Sequence, residues 1–166
     1  MSDRLYYEDS AQLEFDASVV TVTGVEGRPG VVLDRSAFYP TSGGQPFDTG
    51  WLGDARVLEV IEDEAGRVVH VLDKPLEAGR NVHGRVDAER RLDHMQQHTG
   101  QHILSAALDR LSRARTVGFH LGADVSTVDL DVPLSPEALA AAEAEANRIV
   151  WEDRPVAIRT MSEADA

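Results

Sequence analysis

The sequence predicts an α+β protein, with a strand-rich N-terminal part followed by two helices packed on a second sheet. Short β-branched runs separated by turn residues fill the first half of the chain. A long helical pattern begins near Ala88, and a second helix opens at Ser135. We therefore place the organisational boundary between residues 1–86 and residues 87–166.

The N-terminal strands are predicted from runs rich in valine, isoleucine and threonine. Segments that contain glycine, proline and acidic residues separate these runs, as is typical of turns. Short strands at this spacing indicate a small barrel or a sandwich. The predicted strands are 19–23, 30–34, 55–61, 68–72 and 82–87, and the predicted turns are 26–29, 50–53 and 64–67.

The helix that begins near Ala88 has an apolar arc and a row of histidines beside it. The arc is predicted to contain Leu92, Met95, Thr99, Ile103, Leu104, Ala106, Leu108 and Leu111. His98 and His102 fall just off its edge, one turn apart on the same face. Two imidazoles at this spacing can chelate one Zn²⁺, although the same pair can also be a polar rim of the buried stripe. His94 continues the row one turn earlier.

The second half of the chain is predicted to contain a hairpin, a helix and the start of another strand. The hairpin strands are 116–121 and 126–132. Ser135 is an N-cap, Pro136 opens the helix, and Glu137 lies in its first turn. The apolar side of this helix is predicted to carry Leu139, Ala142, Ala146, Ile149 and Val150. A further strand over 156–159 would leave the sheet unfinished, so we expect either a truncated piece of a longer protein or a short natural remnant.

Composition narrows the classes of function. The chain contains no cysteine, which excludes disulfides and any thiolate zinc site within it. No apolar run is long enough to predict a membrane span, and the polar start does not resemble a signal peptide. We expect a cytoplasmic protein that does not bind membranes.

The net charge of -13 argues against nucleic-acid binding over a broad surface. Any such binding must be local, and arginines are concentrated around the histidine helix. The guanidinium group suits phosphates and stacked bases. Solvated helix ends are the alternative explanation. The arginines concerned are Arg90, Arg91, Arg110, Arg113 and Arg115.

A glycine-rich loop is predicted over residues 38–50. Gly43 and Gly44 permit close backbone approaches, and Pro40 and Pro46 stiffen both flanks. A simple turn between strands is the usual role of a Gly-Gly pair. The added aromatic residues and Asp48 are more than a tight turn needs, so the loop is a second candidate for a functional site.

The loop and the histidine helix together resemble one family. The loop reads Phe38-Tyr-Pro-x-x-Gly-Gly-Gln-Pro-x-Asp-x-Gly50, and about fifty residues later follows His98-Thr-Gly-Gln-His102-Ile-Leu. The two motifs, in this order, resemble the editing module of alanyl-tRNA synthetase and its free-standing AlaX relatives. The resemblance covers essentially the whole chain, including 116–122 and 127–130. It implies an N-terminal β-barrel carrying the loop, joined to an α+β domain that hydrolyses mischarged aminoacyl-tRNA.

The resemblance also implies site residues. His98 and His102 match the first half of a zinc site, which the family completes with a downstream Cys-x-x-x-His element that this chain lacks. In this chain we therefore expect zinc to be weak, completed by water or absent, unless His94, His120 or a carboxylate contributes. Asp93 or Gln97 is expected to orient a ligating imidazole. Catalytic roles are expected for Thr99, Gln101, Thr116 and His120, and substrate contacts for Gly43, Gly44, Gln45 and Arg91.

Two functions remain open from the sequence. The first is a trans-editing hydrolase that deacylates mischarged tRNA(Ala), chiefly Ser-tRNA(Ala) with Gly-tRNA(Ala) as the second candidate, by recognising the acceptor end of the tRNA. The second is a non-catalytic module of the same fold that binds aminoacyl-tRNA or a partner protein. The alternative role of the four residues expected to be catalytic is that they only line the site. These residues are Thr99, Gln101, Thr116 and His120.

Overall fold

The structure is a computed structural model that describes residues 2–122 and 124–156. These residues fall into two compact units. The first contains the chain up to His98 together with Gly118–Val128, and the second contains Thr99–Val117 together with the residues from Asp129 onwards. The division falls inside the long helix, later than the 86/87 boundary expected from the sequence.

A closed, six-stranded antiparallel barrel forms the body of the first unit. Its strand order is β2-β3-β7-β6-β5-β8. Short strands β1 and β4 pair in parallel beside it, and a 3₁₀ turn covers Leu5–Tyr7. The bounds are β1 Asp3–Arg4, β2 Glu14–Val25, β3 Arg28–Leu33, β4 Arg35–Ser36, β5 Gly50–Leu52, β6 Ala55–Glu62, β7 Val68–Leu72 and β8 Asn81–Val86.

Alternation of inward apolar and outward polar side chains explains why these segments close into a barrel. Every second residue of β8 is buried, and β5 and most of β6 follow the same pattern. The interior is filled mainly by valine and leucine, and Phe38 within it is fully buried. The five strands predicted from the sequence are confirmed within a few residues, and the open choice between barrel and sandwich is resolved as a barrel.

The predicted turn over 50–53 is wrong for residues 50–52, which form strand β5, whereas Gly53 does lie in a turn. This strand pairs with both β6 and β8 and thereby closes the barrel. A Cβ added at Gly50 would lie 2.1 Å from the carbonyl oxygen of Arg85, so the close pairing requires glycine there. Three residues are too few to show a strand period in the sequence.

The remaining elements are two helices and a two-stranded sheet. They are α1 Ala88–Ser112, β9 Thr116–His120, β10 Thr127–Leu130 and α2 Pro136–Trp151, and β9 pairs with β10. The Ser135 hydroxyl accepts a hydrogen bond from the backbone N–H of Ala138, as expected of an N-cap. In the second unit, Ala107 and Leu108 of α1, Ala142 of α2 and Leu130 of β10 share one small core. The predicted α+β class is confirmed.

Burial along the helices differs from the predicted apolar arcs. On α1, Leu92 and Leu111 are 56% and 46% exposed, whereas Arg91 and His94 are buried. The buried face of the first part of α1 is therefore polar. On α2, Leu139 and Val150 of the predicted apolar side are largely exposed, and Ala142 is buried. Of the predicted strand 156–159, Val156 lies outside any regular element and the rest falls outside the described residues.

No helix in the described part of the chain is both long enough and apolar enough to cross a membrane.

A histidine is fully buried in the barrel within a chain of hydrogen bonds. The His70 ring lies 2.7 Å from the Ser36 hydroxyl through Nε2 and 3.3 Å from the carbonyl oxygen of Val31 through Nδ1. Because that carbonyl can only accept, Nδ1 carries the proton, and Nε2 accepts from Ser36. The Ser36 oxygen in turn accepts from the N–H of Phe38. Burial lowers the pKa of His70 from 6.5 to about 4 by removing water from around the charged ring, and the hydrogen bond to the carbonyl oxygen of Val31 opposes part of this shift.

We expect the barrel to lose stability as the pH falls below about 6.5, the pKa of histidine in an unfolded chain. Since the pKa of His70 in the folded protein is about 4, the unfolded state binds the proton first and the loss extends from pH 6.5 towards pH 4. Between pH 7.5 and pH 5 it amounts to about 2 kcal/mol of the free energy of unfolding. Urea denaturation at both pH values measures it. His70→Gln should start from lower stability but show a smaller pH dependence, and an unchanged dependence would contradict this assignment.

Candidate functional site

The tip of the glycine-rich loop is a tight turn that only glycine accommodates well. Ser42 and Gln45 exchange two backbone hydrogen bonds, of 3.1 and 2.9 Å. The two residues between them, Gly43 and Gly44, have φ angles of 58° and 81°. Positive φ at both central positions is the geometry of a type I′ turn, in which side chains are strained.

Gly44 also makes a close backbone approach in the first unit. Its carbonyl oxygen accepts a hydrogen bond of 2.9 Å from the N–H of Leu121, just after β9. A Cβ added to Gly44 would lie 2.1 Å from the carbonyl oxygen of Phe119, whereas one added to Gly43 would meet no heavy atom within 4 Å. The pair therefore forms the turn and also docks it against Phe119–Leu121.

Gln45 connects this loop to the histidine helix. Its side chain is buried, and its Oε1 lies 2.7 Å from Nδ1 of His98 on α1. An amide oxygen can only accept, so Nδ1–H donates and the basic lone pair of the ring is on Nε2. The sequence suggested Asp93 or Gln97 for this orienting role, but the structure places Gln45 there. The ring of Phe119 lies 6.2 Å from the ring of His98.

Arg91 and Asp48 form a buried ion pair that ties the loop to α1. Arg91 Nη2 lies 2.5 Å from Asp48 Oδ2, with the two side chains 3% and 0% exposed. The guanidinium also donates to the carbonyl oxygens of Ser10 and Ala37, and Asp48 accepts from the N–H of Tyr39. This burial gives Arg91 a structural role, and the substrate contact expected of it from the sequence stays a prediction.

In the second unit, two of the expected catalytic residues are joined through a third. Gln101 Nε2 donates to the Ser105 hydroxyl at 2.7 Å, and that hydroxyl lies 2.6 Å from the Thr116 hydroxyl. Sequence reasoning missed Ser105. The signal was its position four residues after Gln101, which places it on the same helical face.

The remaining expected site residues differ in exposure. Thr99 is half-buried, and His102 and His120 are exposed. Within the described residues, no group of three or more His, Asp or Glu side chains is arranged to hold a metal ion. His94 is buried, its Nδ1 has no hydrogen-bond partner among those residues, and burial lowers its pKa.

The arginines that are concentrated around the histidine helix in the sequence are mostly engaged within the protein. Arg90 donates to the carbonyl oxygen of Phe47 and lies 5.5 Å from the centre of its ring. Arg110 pairs with Glu145, and Arg115 pairs with Asp131 at 3.2 Å. Because Arg91 is buried, it does not contribute to the arginine surface around this helix.

Comparison with known proteins gives one family and several relatives. The family model described as tRNA synthetases class II (A) matches residues 4–90. The chain is 41% identical over 161 residues to the alanine–tRNA ligase of Pyrococcus furiosus, which spans 92% of this chain and 17% of that protein. It is 38% identical over 165 residues to the alanyl-tRNA editing protein AlaX-L of Pyrococcus horikoshii, which spans 95% of this chain and 41% of that protein.

A further relative comes from an animal. The chain is 39% identical over 153 residues to the alanyl-tRNA editing protein Aarsd1 of Mus musculus, which spans 92% of this chain and 37% of that protein. The chain thus covers less than half the length of each of these relatives.

The two glycines of the loop provide a matched pair of variants. Gly43→Ala and Gly44→Ala both place a side chain at positive φ, which destabilises the fold by about 1 kcal/mol. Only Gly44→Ala adds the clash with the carbonyl oxygen of Phe119, so we expect it to lower the free energy of unfolding at least twice as much. Hydrogen exchange of the Leu121 amide should accelerate in Gly44→Ala alone. Equal effects of the two substitutions would show that the loop does not dock on Phe119–Leu121.

Proposed function

We propose that this chain, which belongs to the family of class II tRNA synthetases (A), contributes to a site that hydrolyses mischarged tRNA(Ala). The part that it contributes contains His98 and His102. The family match agrees with the resemblance to the editing module of alanyl-tRNA synthetase, and the relatives include an alanine–tRNA ligase and two alanyl-tRNA editing proteins. Ser-tRNA(Ala) is the proposed main substrate, and Gly-tRNA(Ala) is the second.

One observation supports this function most directly. The two motifs on which the resemblance rests lie about fifty residues apart in the sequence, and in the fold they meet through the hydrogen bond of 2.7 Å between Gln45 and His98. A turn that served only to reverse the chain would not need to orient an imidazole. Ligating or proton-accepting histidines typically have their second nitrogen held in this way.

The chemistry that these residues can supply is hydrolysis of an ester. The bond between an amino acid and the terminal ribose is already activated, so water can attack it without a covalent enzyme intermediate. With Nδ1–H donated to Gln45, the proton-accepting nitrogen of His98 is Nε2. Gln101 and Thr116, linked through Ser105, are proposed to contact the aminoacyl group. Thr99 and His120 are proposed as further contacts from their position in the motifs.

A zinc site is not complete in the described residues. A catalytic zinc ion needs three protein ligands, and α1 offers His98 and His102 one turn apart. No third donor joins them in the described part of the chain. These residues alone do not fit a catalytic zinc site, and the proposal assigns no step to the metal. The second candidate function, expected from the sequence, is a non-catalytic module that binds aminoacyl-tRNA or a partner protein.

A deacylation assay separates the two functions. We expect the chain, when extended by a Cys-x-x-x-His segment, to release serine from Ser-tRNA(Ala) at least tenfold faster than residues 1–166 alone and to spare Ala-tRNA(Ala). Equal release by both proteins would show that the His98/His102 site needs no further ligand. Binding of Ser-tRNA(Ala) without release of serine would establish the second function, and absence of both would contradict the proposal.

Variants of Gln45 test the orienting hydrogen bond in the same assay. We expect Gln45→Ala to slow serine release by about tenfold to a hundredfold. Without its partner at Nδ1, the His98 ring is no longer held with the basic lone pair on Nε2. Gln45→Glu retains an acceptor for Nδ1–H and should preserve more of the activity than Gln45→Ala. Gln12→Ala is a matched control, since the side chain of Gln12 is far from the loop in sequence and donates to the backbone carbonyl oxygen of Glu14. Equal activity of Gln45→Ala and the parent protein would remove Gln45 from the site.

Zinc content provides a separate measurement. We expect purified residues 1–166 to contain well under one zinc ion per chain by elemental analysis, rising towards one when a Cys-x-x-x-His segment is added. His98→Ala and His102→Ala should abolish the increase. Stoichiometric zinc in residues 1–166 that is lost in His98→Ala would show that the chain completes the site itself. Zinc that neither substitution changes would exclude both histidines as ligands.

A further inference from the structure

A cleft on the outer surface of the barrel combines an aromatic ring with two arginines. Trp51 of β5 is the direct cross-strand partner of Arg56 on β6 and of Arg85 on β8. All three side chains point outward, and Trp51 is 40% exposed. They line a cleft of about 420 Å³, with Glu14, Asp87 and Ala88 at its border.

The two arginines of this cleft differ from most others in the protein. In the described part of the chain, neither Arg56 nor Arg85 makes an ion pair, although most arginines there do. The chain has a net charge of -13, so acidic partners are available in general. Two guanidinium groups that flank one exposed indole without pairing are suited to an anionic, aromatic ligand.

The carboxylates at the border favour a nucleotide over a simple anion. Glu14 lies directly across from Arg85 on the neighbouring strand, and Asp87 caps the start of α1 by accepting from the N–H of Arg90. Carboxylates repel phosphate but accept hydrogen bonds from ribose hydroxyls and base amino groups. Single-stranded RNA offers a partner for each group of the cleft. The arginines can bind its phosphates, the indole can stack on a base, and the carboxylates can accept from hydroxyl or amino groups.

We propose that the cleft formed by Trp51, Arg56 and Arg85 binds a single-stranded RNA segment, with one base stacked on Trp51 and its phosphates on the two arginines. The identification of that RNA with the single-stranded acceptor end of tRNA rests on the proposed function. Such a contact would allow an acidic protein to bind a nucleic acid, because the phosphates would be bound only at one small surface that carries arginines.

The position of the cleft beside α1 gives an estimate of its distance from His98. Ala88 borders the cleft, and His98 lies ten residues further along the same helix. At 1.5 Å per residue this is about 15 Å. Stacked nucleotides are spaced by about 3.4 Å, so the distance corresponds to roughly four nucleotides. A base on Trp51 would then be about four nucleotides from an ester bound at His98.

Fluorescence titration tests the cleft directly. The probe is a single-stranded oligoribonucleotide of eight nucleotides, added to the full chain in a Trp151→Phe background so that Trp51 is the only indole. We expect the RNA to quench Trp51. Trp51→Ala, followed with a labelled probe, should weaken binding by fivefold or more, and Trp51→Phe should retain most of it. The double variant Arg56→Gln/Arg85→Gln should weaken binding about tenfold and reduce the slope of log K against log salt by about 1.4.

Arg35→Gln is the control, because Arg35 is an exposed arginine of β4 outside the cleft and its loss removes one charge. It should bind RNA like the parent protein. Unchanged binding in the Trp51 and arginine variants, or an equal loss in Arg35→Gln, would overturn the proposal. So would tighter binding of polyglutamate than of RNA, since that result would identify an acidic protein as the partner. Unchanged urea midpoints confirm that the variants fold.

The experiments distinguish a failure of the RNA-binding cleft from a failure of the proposed editing function. Serine release that is unaffected by Trp51→Ala and by Arg56→Gln/Arg85→Gln, together with unchanged RNA binding, would overturn the cleft and leave the editing function standing. RNA binding that depends on the cleft in a protein that never releases serine would support the cleft and contradict the hydrolase.

Discussion

The arrangement of the candidate site depends on the buried ion pair between Arg91 and Asp48. Arg91 holds the carbonyl oxygens of Ser10 and Ala37 in addition to the Asp48 carboxylate, so one side chain links the N-terminal segment, the start of the glycine-rich loop, its end, and α1. Breaking a buried pair by removing one partner typically destabilises a protein by about 3–5 kcal/mol, because the other charge is left without compensation. The pair therefore keeps the loop against the first turns of α1.

With the loop held in this way, the Gly43-Gly44 turn can perform a second task. Its tip docks by backbone contacts on Phe119–Leu121, and the residue that follows it, Gln45, reaches His98. The hydrogen bond from Nδ1 assigns the basic lone pair of the ring to Nε2. That nitrogen is the one used whether an imidazole binds a metal ion or accepts a proton from water, so the same geometry serves either chemistry.

The distribution of charge is compatible with the RNA partner proposed for this acidic chain. Most arginines in the described structure are neutralised by neighbouring carboxylates, including three of the five that are concentrated around the histidine helix in the sequence. The pair that remains unneutralised on the barrel flanks Trp51. Cross-strand register brings Arg56 and Arg85 to either side of that residue, although they lie far apart in the sequence. A local contact of this kind requires no overall positive charge.

The sequence by itself determined the class of the fold, most of the barrel strands, both helices and the family. These features depend on local periodicity, on capping residues such as Ser135, and on two short motifs, all of which can be recognised in the linear sequence.

Tertiary structure decided the rest. Strand β5 is too short to have a period, and its place follows from closing the barrel between β6 and β8. Arg91 carried the signal of a surface cation, yet its partner Asp48 lies 43 residues away and buries it. Gln45 and Ser105 acquire their roles only through contacts with residues on other elements. Burial and pairing between distant segments are properties of the packed chain, and for that physical reason local sequence patterns do not predict them.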